Sequence, residues 1–218
     1  MTKIFRIWLV AFVTTIAVVC ASIQWLDKPI ALEVRAIFGQ RILPVGLTES
    51  PLTSTSLAAA LAFVVFGILA TMGHKFSKFG ATIAICVIST LAALVIKDQL
   101  KVVFGRTWPD TWAPGIVSFL GNGVYGFHFF HSGKSFESFP SGHATVAAAV
   151  LSVPWILFPR LRALCSTGML AVDVGLVALN LHFLSDTIAG TFLGFSTGLF
   201  TIALWRGNGS DVAGRLDL

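Results

Sequence analysis

Six apolar runs dominate this chain, at about 7–26, 56–73, 80–96, 144–158, 164–181 and 187–205. Most are near the length of a helix that crosses a bilayer, about 20 residues. Six such spans use about 120 residues, and the remainder is too short and too interrupted for a separate soluble domain. The expectation is an all-α, polytopic membrane helix bundle with about six transmembrane helices, one integral membrane domain over 1–218. Composition agrees: 11% of the residues are charged and 56% hydrophobic, against about 25% charged in a soluble domain. The same figures exclude a disordered or collagen-like chain.

The 15 Lys and Arg against 10 Asp and Glu leave a charge of +5. The basic residues are scattered between apolar runs, so they read as topology signals and a local anion site rather than a nucleic-acid surface. Lys3 and Arg6, then Lys75 and Lys78, then Arg160 and Arg162 occupy segments without acids, and the tail adds Arg206 and Arg215 beside Asp211 and Asp217. With six helices these segments share one face, which positive-inside places in the cytoplasm with both termini. The first, third and fifth connections then face outward, to the periplasm if the membrane is a Gram-negative inner membrane. The first run follows Thr2-Lys3-Ile4-Phe5-Arg6. It reads as a retained helix rather than a cleaved signal peptide, being long and lacking a small-x-small site. Cys20, Cys86 and Cys165 lie singly in apolar runs and read as packing residues. In the first outer connection, about 27–54, Ile30, Val34, Ile37 and Phe38 beside Glu33, Arg35 and Arg41 suit a short interfacial helix. Gly190, Gly194 and Gly198 recur every four residues and predict close helix contact.

Chemistry concentrates in two outer connections. The third, about 97–142, opens with Lys97, Lys101 and Arg106 and closes on Ser138-Phe139-Pro140-Ser141-Gly142-His143; the fifth is His182-Phe183-Leu184-Ser185-Asp186. Ser141 is placed to cap the helix that follows. The free N–H groups of that helix's first turn suit a phosphate, within reach of His143. A protonated His143 could donate to a leaving oxygen. Asp186, four residues after His182, can accept one ring N–H and leave the other nitrogen as a nucleophile; it also reads as a helix cap. Lys101 and Arg106 suit a phosphate dianion, with snorkelling to headgroups as the alternative. Trp108 and Trp112 read as interfacial anchors. His128, His131 and Lys134 are candidate substrate contacts, and Asp173 inside the fifth run is either functional or a buried hydrogen-bonding group. With no His-Glu-x-x-His and no Cys pair, a metal site is the weaker reading of these residues.

These residues resemble the motifs of the phosphatidic acid phosphatase type 2 superfamily. Its motifs are Lys, six residues, Arg-Pro; Pro-Ser-Gly-His; and Ser-Arg, five residues, His, three residues, Asp. Pro140-Ser141-Gly142-His143 matches the second in full, His182 with Asp186 the end of the third, and Lys101 with Trp108-Pro109 part of the first. The resemblance spans Lys101 to Asp186. It implies that His182 attacks phosphorus to form a phosphohistidine and that Asp186 orients and charges it. It implies that His143 protonates the leaving lipid oxygen and then activates water, while Lys101, Ser141 and Gly142 hold the phosphate without a metal.

Trp108 stands at the first motif's arginine, and Gly175 and Leu176 stand at the third motif's Ser-Arg. Arg106 is the expected substitute fork, with added charge from Lys97 or Lys134. The expected function is a membrane phosphatase releasing phosphate from a bilayer lipid phosphate: phosphatidic acid, phosphatidylglycerol phosphate or undecaprenyl diphosphate. The variants are a lipid-linked phosphotransferase, a lipid A phosphatase, and a phosphate binder that has lost catalysis. A transporter or proton-relay protein is the rival class, disfavoured because His143, His182 and Asp186 gather at one surface.

Overall fold

The computed structural model describes residues 3–39 and 45–207. Arg41, Asp211, Arg215 and Asp217 lie outside the described residues. The longest helical stretch, Lys3–Phe38, has two α-helical parts, α1 (Lys3–Ala21) and α2 (Asp27–Phe38), joined by a π-helical turn at Ser22–Leu26. Then come α3 (Val45–Thr71), α4 (Lys78–Phe104), the single turn α5 (Phe119–Asn122), α6 (Gly142–Leu157), α7 (Arg162–Ala178) and α8 (Leu184–Gly207).

Among the described residues, five helical stretches are long and apolar enough to cross a membrane, and α6 is a shorter apolar helix of 16 residues. At 1.5 Å per residue α6 is about 24 Å long, a little less than the bilayer core. It is also the most enclosed helix, packed against α4, α7 and α8. On α1, by contrast, Ile4, Ile7, Val10, Val13 and Ile16 are exposed, and on α3 so are Leu57, Leu61, Val64 and Ile68. Water would penalise such faces and lipid would not. The chain is a multi-pass helical membrane protein.

Two helix ends differ from the sequence expectation. The expected interfacial helix is α2, continuous with the first span rather than separate from it. The apolar run at 80–96 also stops before its helix does. Lys97 and Lys101 therefore sit on the last two turns of α4, not in a connection. Their turns are polar because one side of them faces a cavity.

The α6–α8 contact is built on the glycine strip. A methyl group on Gly194 would lie 2.1 Å from the Thr145 carbonyl oxygen, and one on Gly190 would lie 2.6 Å from that of Ser141. Only hydrogen fits at either place, so the helices approach at backbone distance. Ser89 on α4 ties the three central helices, with its hydroxyl 3.1 Å from Ala149 O and 3.3 Å from Thr197 Oγ1. Asp173 on α7 accepts Thr191 Oγ1 at 2.8 and 3.0 Å, so its carboxylate serves the contact with α8.

One end of the bundle carries the C-terminus of α4 and the N-termini of α6 and α8. At the other end, Lys78, Arg160, Arg162 and Arg206 border one depression. Helix α2 docks on the first end through positions four apart, which share a helix face. Asp27 pairs with Arg106, the Ala31 carbonyl accepts Asn180 Nδ2 at 3.0 Å, and Arg35 pairs with Asp110.

Candidate active site

Helix α4 ends at Gly105, which adopts a left-handed conformation (φ 55°) and donates its N–H to Lys101 O. A side chain there would run into His128 O at 2.0 Å. The glycine lets the chain turn sharply and deliver Arg106 to the interior. Across the bundle, the Ser141 hydroxyl accepts Ala144 N–H at 3.4 Å and starts α6, while the Ser141 N–H donates to Asp186 O at 3.0 Å. The two helices that carry His143 and Asp186 are thus joined at their first residues.

A cavity of about 230 Å³ opens at this end. Its lining includes Lys97, Lys101, Lys134, His143, His182 and Gly142, with Asp98 and Glu137 as the acids. Trp108, Trp112, Leu52 and Leu181 form apolar wall. Lys97 pairs with Asp98. Two imidazoles from distant stretches of chain thus face one space beside three lysines.

His182 is buried, with Nδ1 3.6 Å from Asp186 Oδ2 and 3.4 Å from Ser138 Oγ. Ser138 donates to the same Oδ2 at 2.6 Å, and Phe183 N–H donates to it at 3.0 Å. With Nδ1 turned to the carboxylate, Nε2 is the nitrogen left for chemistry. Trp108 packs on the imidazole, ring centres 5.0 Å apart. Burial pulls the His182 pKa below its ordinary value despite the raising effect of Asp186. Such burial favours the neutral form of the ring.

Arg106 corrects the sequence expectation. Its side chain has no exposure and does not line the cavity. Nη1 donates to Asp186 Oδ1 and Ser185 Oγ, both at 2.5 Å, and Nη2 donates to Asp27 Oδ2 at 2.7 Å. The guanidinium lies 4.5 Å from the Phe183 ring centre and 4.9 Å from that of Phe127. Burial acts to lower its pKa, but Asp186 and Asp27 outweigh it and hold it above the ordinary range. A guanidinium spent on two carboxylates behind the site is no phosphate fork.

Residues 81–210 match the PAP2 superfamily, more than half of the chain. The chain belongs to this superfamily. Among curated relatives, the lipid A 1-phosphatase of Rhizobium johnstonii is 33% identical over 107 residues, 49% of this chain and 41% of that protein. The lipid A 1-phosphatase of Rhizobium etli is 32% identical over 111 residues, 51% of this chain and 45% of that protein. The chain thus spans less than half the length of these relatives. The crystal structure of the first transmembrane PAP2 type phosphatidylglycerolphosphate phosphatase from Bacillus subtilis is 20% identical, with a TM-score of 0.48. It covers 92% of this chain and 96% of that one.

Of the residues expected from the PAP2 motifs, Lys101, Gly142, His143 and His182 line the cavity, and Asp186 backs it. Lys97 and Lys134 join them. Ser141 is buried away from the lining and ties α6 to α8 instead. His128 and His131 are also off the cavity, packed edge-on against Phe136 at 5.0 and 4.4 Å. Trp108 and Trp112 are buried cavity wall rather than interfacial anchors. Sequence reasoning missed Asp27, Tyr125, Ser138 and Ser185. Asp27 carried a signal, as a carboxylate directly after an apolar run. Among the described residues, no group of three or more His, Cys, Asp and Glu could hold a metal ion.

Proposed function

We propose that this protein is an integral membrane lipid phosphatase that works through a phosphohistidine. The observation behind this reading is one cavity bordered by His143, His182 and three lysines. Nε2 of His182 attacks phosphorus as the bond to the lipid oxygen breaks, and His143 donates a proton to that oxygen. His143 then takes a proton from water, whose oxygen displaces His182 and releases inorganic phosphate. Asp186 stabilises the positive charge that the ring carries while bonded to phosphorus. Lys97, Lys101 and Lys134, with the first turn of α6 at Gly142, hold the phosphoryl oxygens. The lysines replace the forks that Trp108 and Leu176 cannot supply.

The relatives named lipid A 1-phosphatases favour a phosphomonoester on a large bilayer lipid. The positive-inside pattern, with Lys78, Arg160, Arg162 and Arg206 around the depression at the far end, supports cytoplasmic termini and a site on the outer face of the inner membrane. The deciding experiment is phosphate release by detergent-solubilised protein from lipid A, phosphatidic acid, phosphatidylglycerol phosphate and undecaprenyl diphosphate, with and without chelator. His143→Ala and His182→Ala should each abolish release. Release insensitive to both substitutions refutes the phosphohistidine route, and loss of release in chelator refutes a metal-independent one.

A further inference from the structure

Behind the cavity lies a closed set of charges that the proposed reaction does not use. Asp27 is buried, and it accepts Arg106 Nη2 at 2.7 Å, Ser185 N–H at 3.0 Å and the Ser185 hydroxyl at 2.5 Å. Arg106 Nη2 also lies 3.3 Å from Tyr125 Oη, whose hydroxyl donates to Ile23 O at 2.8 Å. Ile23 belongs to the π-helical turn that leads into Asp27. Such turns are rare and recur at functional sites.

The formal charges decide what this set does. Asp186 faces His182 with one oxygen and Arg106 with the other. If Arg106 had Asp186 as its sole partner, the pair would be neutral and would offer little to a cationic imidazole. With Asp27 on the other arm of the fork, the trio carries one net negative charge. An imidazolium at His182 brings the whole cluster to zero. We propose that Asp27 is a positioning residue that holds Arg106 back from neutralising Asp186, so that the catalytic carboxylate keeps a full charge for His182. Arginine suits this place, since a lysine lacks the fork that reaches both carboxylates. The titratable groups around His182 are Asp186 in contact with it and Lys97, Asp98, Lys101, Lys134, Glu137 and His143, which line the same cavity. Asp27 faces none of them directly and acts through Arg106.

The kinetic arm of this inference rests on the phosphohistidine reading; the titration arm does not. Asp27→Asn should lower kcat about tenfold with KM unchanged, and should move the acid limb of the pH–rate profile down by about one unit. NMR titration of the isotope-labelled His182 ring in detergent should show the same downward shift without turnover. Arg106→Met fills the aromatic cage without charge, so the double variant Asp27→Asn/Arg106→Met should regain turnover and return the His182 pKa toward the parent value. A merely structural pair predicts the reverse: Asp27→Asn leaves the His182 pKa in place, and the two substitutions add. Either result overturns the proposal. Should Asp27→Asn fail to fold, the double variant decides alone: a His182 pKa within about half a unit of the parent supports the proposal, and a larger shift overturns it. A parent that releases no phosphate would overturn the reaction, while the titration would still judge Asp27.

Discussion

Gly194→Ala is the sharpest test of how the site is held together. The added methyl carbon would lie 2.1 Å from the Thr145 carbonyl oxygen, 2.7 Å from Ala149 N and 2.8 Å from Ala148 Cβ. Ordinary contact begins at 3.4 Å, and two of these neighbours are backbone atoms with no rotamer to change. Helix α8 must therefore move off α6 by roughly 1 Å, and overpacking of this kind costs about 1–3 kcal/mol. The displacement also parts Asp186 and its histidine partner from His143. A misplacement of about 1 Å can lower a rate about a hundredfold. The assay is paired: thermal unfolding in detergent, and kcat for phosphate release. A Tm lower by about 2–10 °C with kcat down by about two orders of magnitude is expected. Gly175→Ala on α7 is the control, because its methyl group would meet nothing within 4 Å. That variant should keep full turnover and gain up to about 1 kcal/mol from helix propensity. Parental stability and turnover in Gly194→Ala would refute the backbone-contact argument.

Further outcomes follow from the same geometry. Ser138→Ala removes a donor at 2.6 Å to Asp186 Oδ2 and should lower kcat by about tenfold with KM nearly constant, read by steady-state kinetics. Lys97→Ala and Lys134→Ala should each raise KM several-fold, and together lower kcat/KM by about a hundredfold if they hold phosphoryl oxygens. Because burial lowers the His182 pKa, the neutral nucleophile persists below pH 6.5, the ordinary value for histidine. The acid limb of kcat/KM should therefore lie below about 6.5, and a limb above about 7 contradicts the assignment. Thr191→Val leaves the Asp173 carboxylate without its hydroxyl donor and should cost about 1–3 kcal/mol in stability while sparing KM.

What could be read before the structure was local. The Pro140–His143 turn, the four-residue spacing of His182 and Asp186, and the glycine strip all state their geometry within one helical turn or one face. Each takes the expected place, with Ser141 as the cap. What could not be read was partner choice across long separations. Arg106 meets Asp186 at 80 positions' separation and Asp27 at 79. Nothing in the residues around Arg106 says whether its fork faces solvent-filled space or two carboxylates. Hydropathy likewise ended the third run at 96, because a helix face that lines a polar cavity looks like a loop when only apolarity is counted. For His128 and His131 the limit is the opposite one: imidazole chemistry is visible in the sequence, while their packing on Phe136 is not.

The π-helical turn at Ser22–Leu26 has a consequence for the azimuth of everything after it. A π turn holds one more residue than the α turn it replaces, and one residue is about 100° of rotation about a helix axis. Were the same residues wound as plain α-helix, the extra one would swing Asp27, Ala31 and Arg35 together off the bundle. The first span therefore works as a keyed shaft, whose phase matters as much as its greasiness.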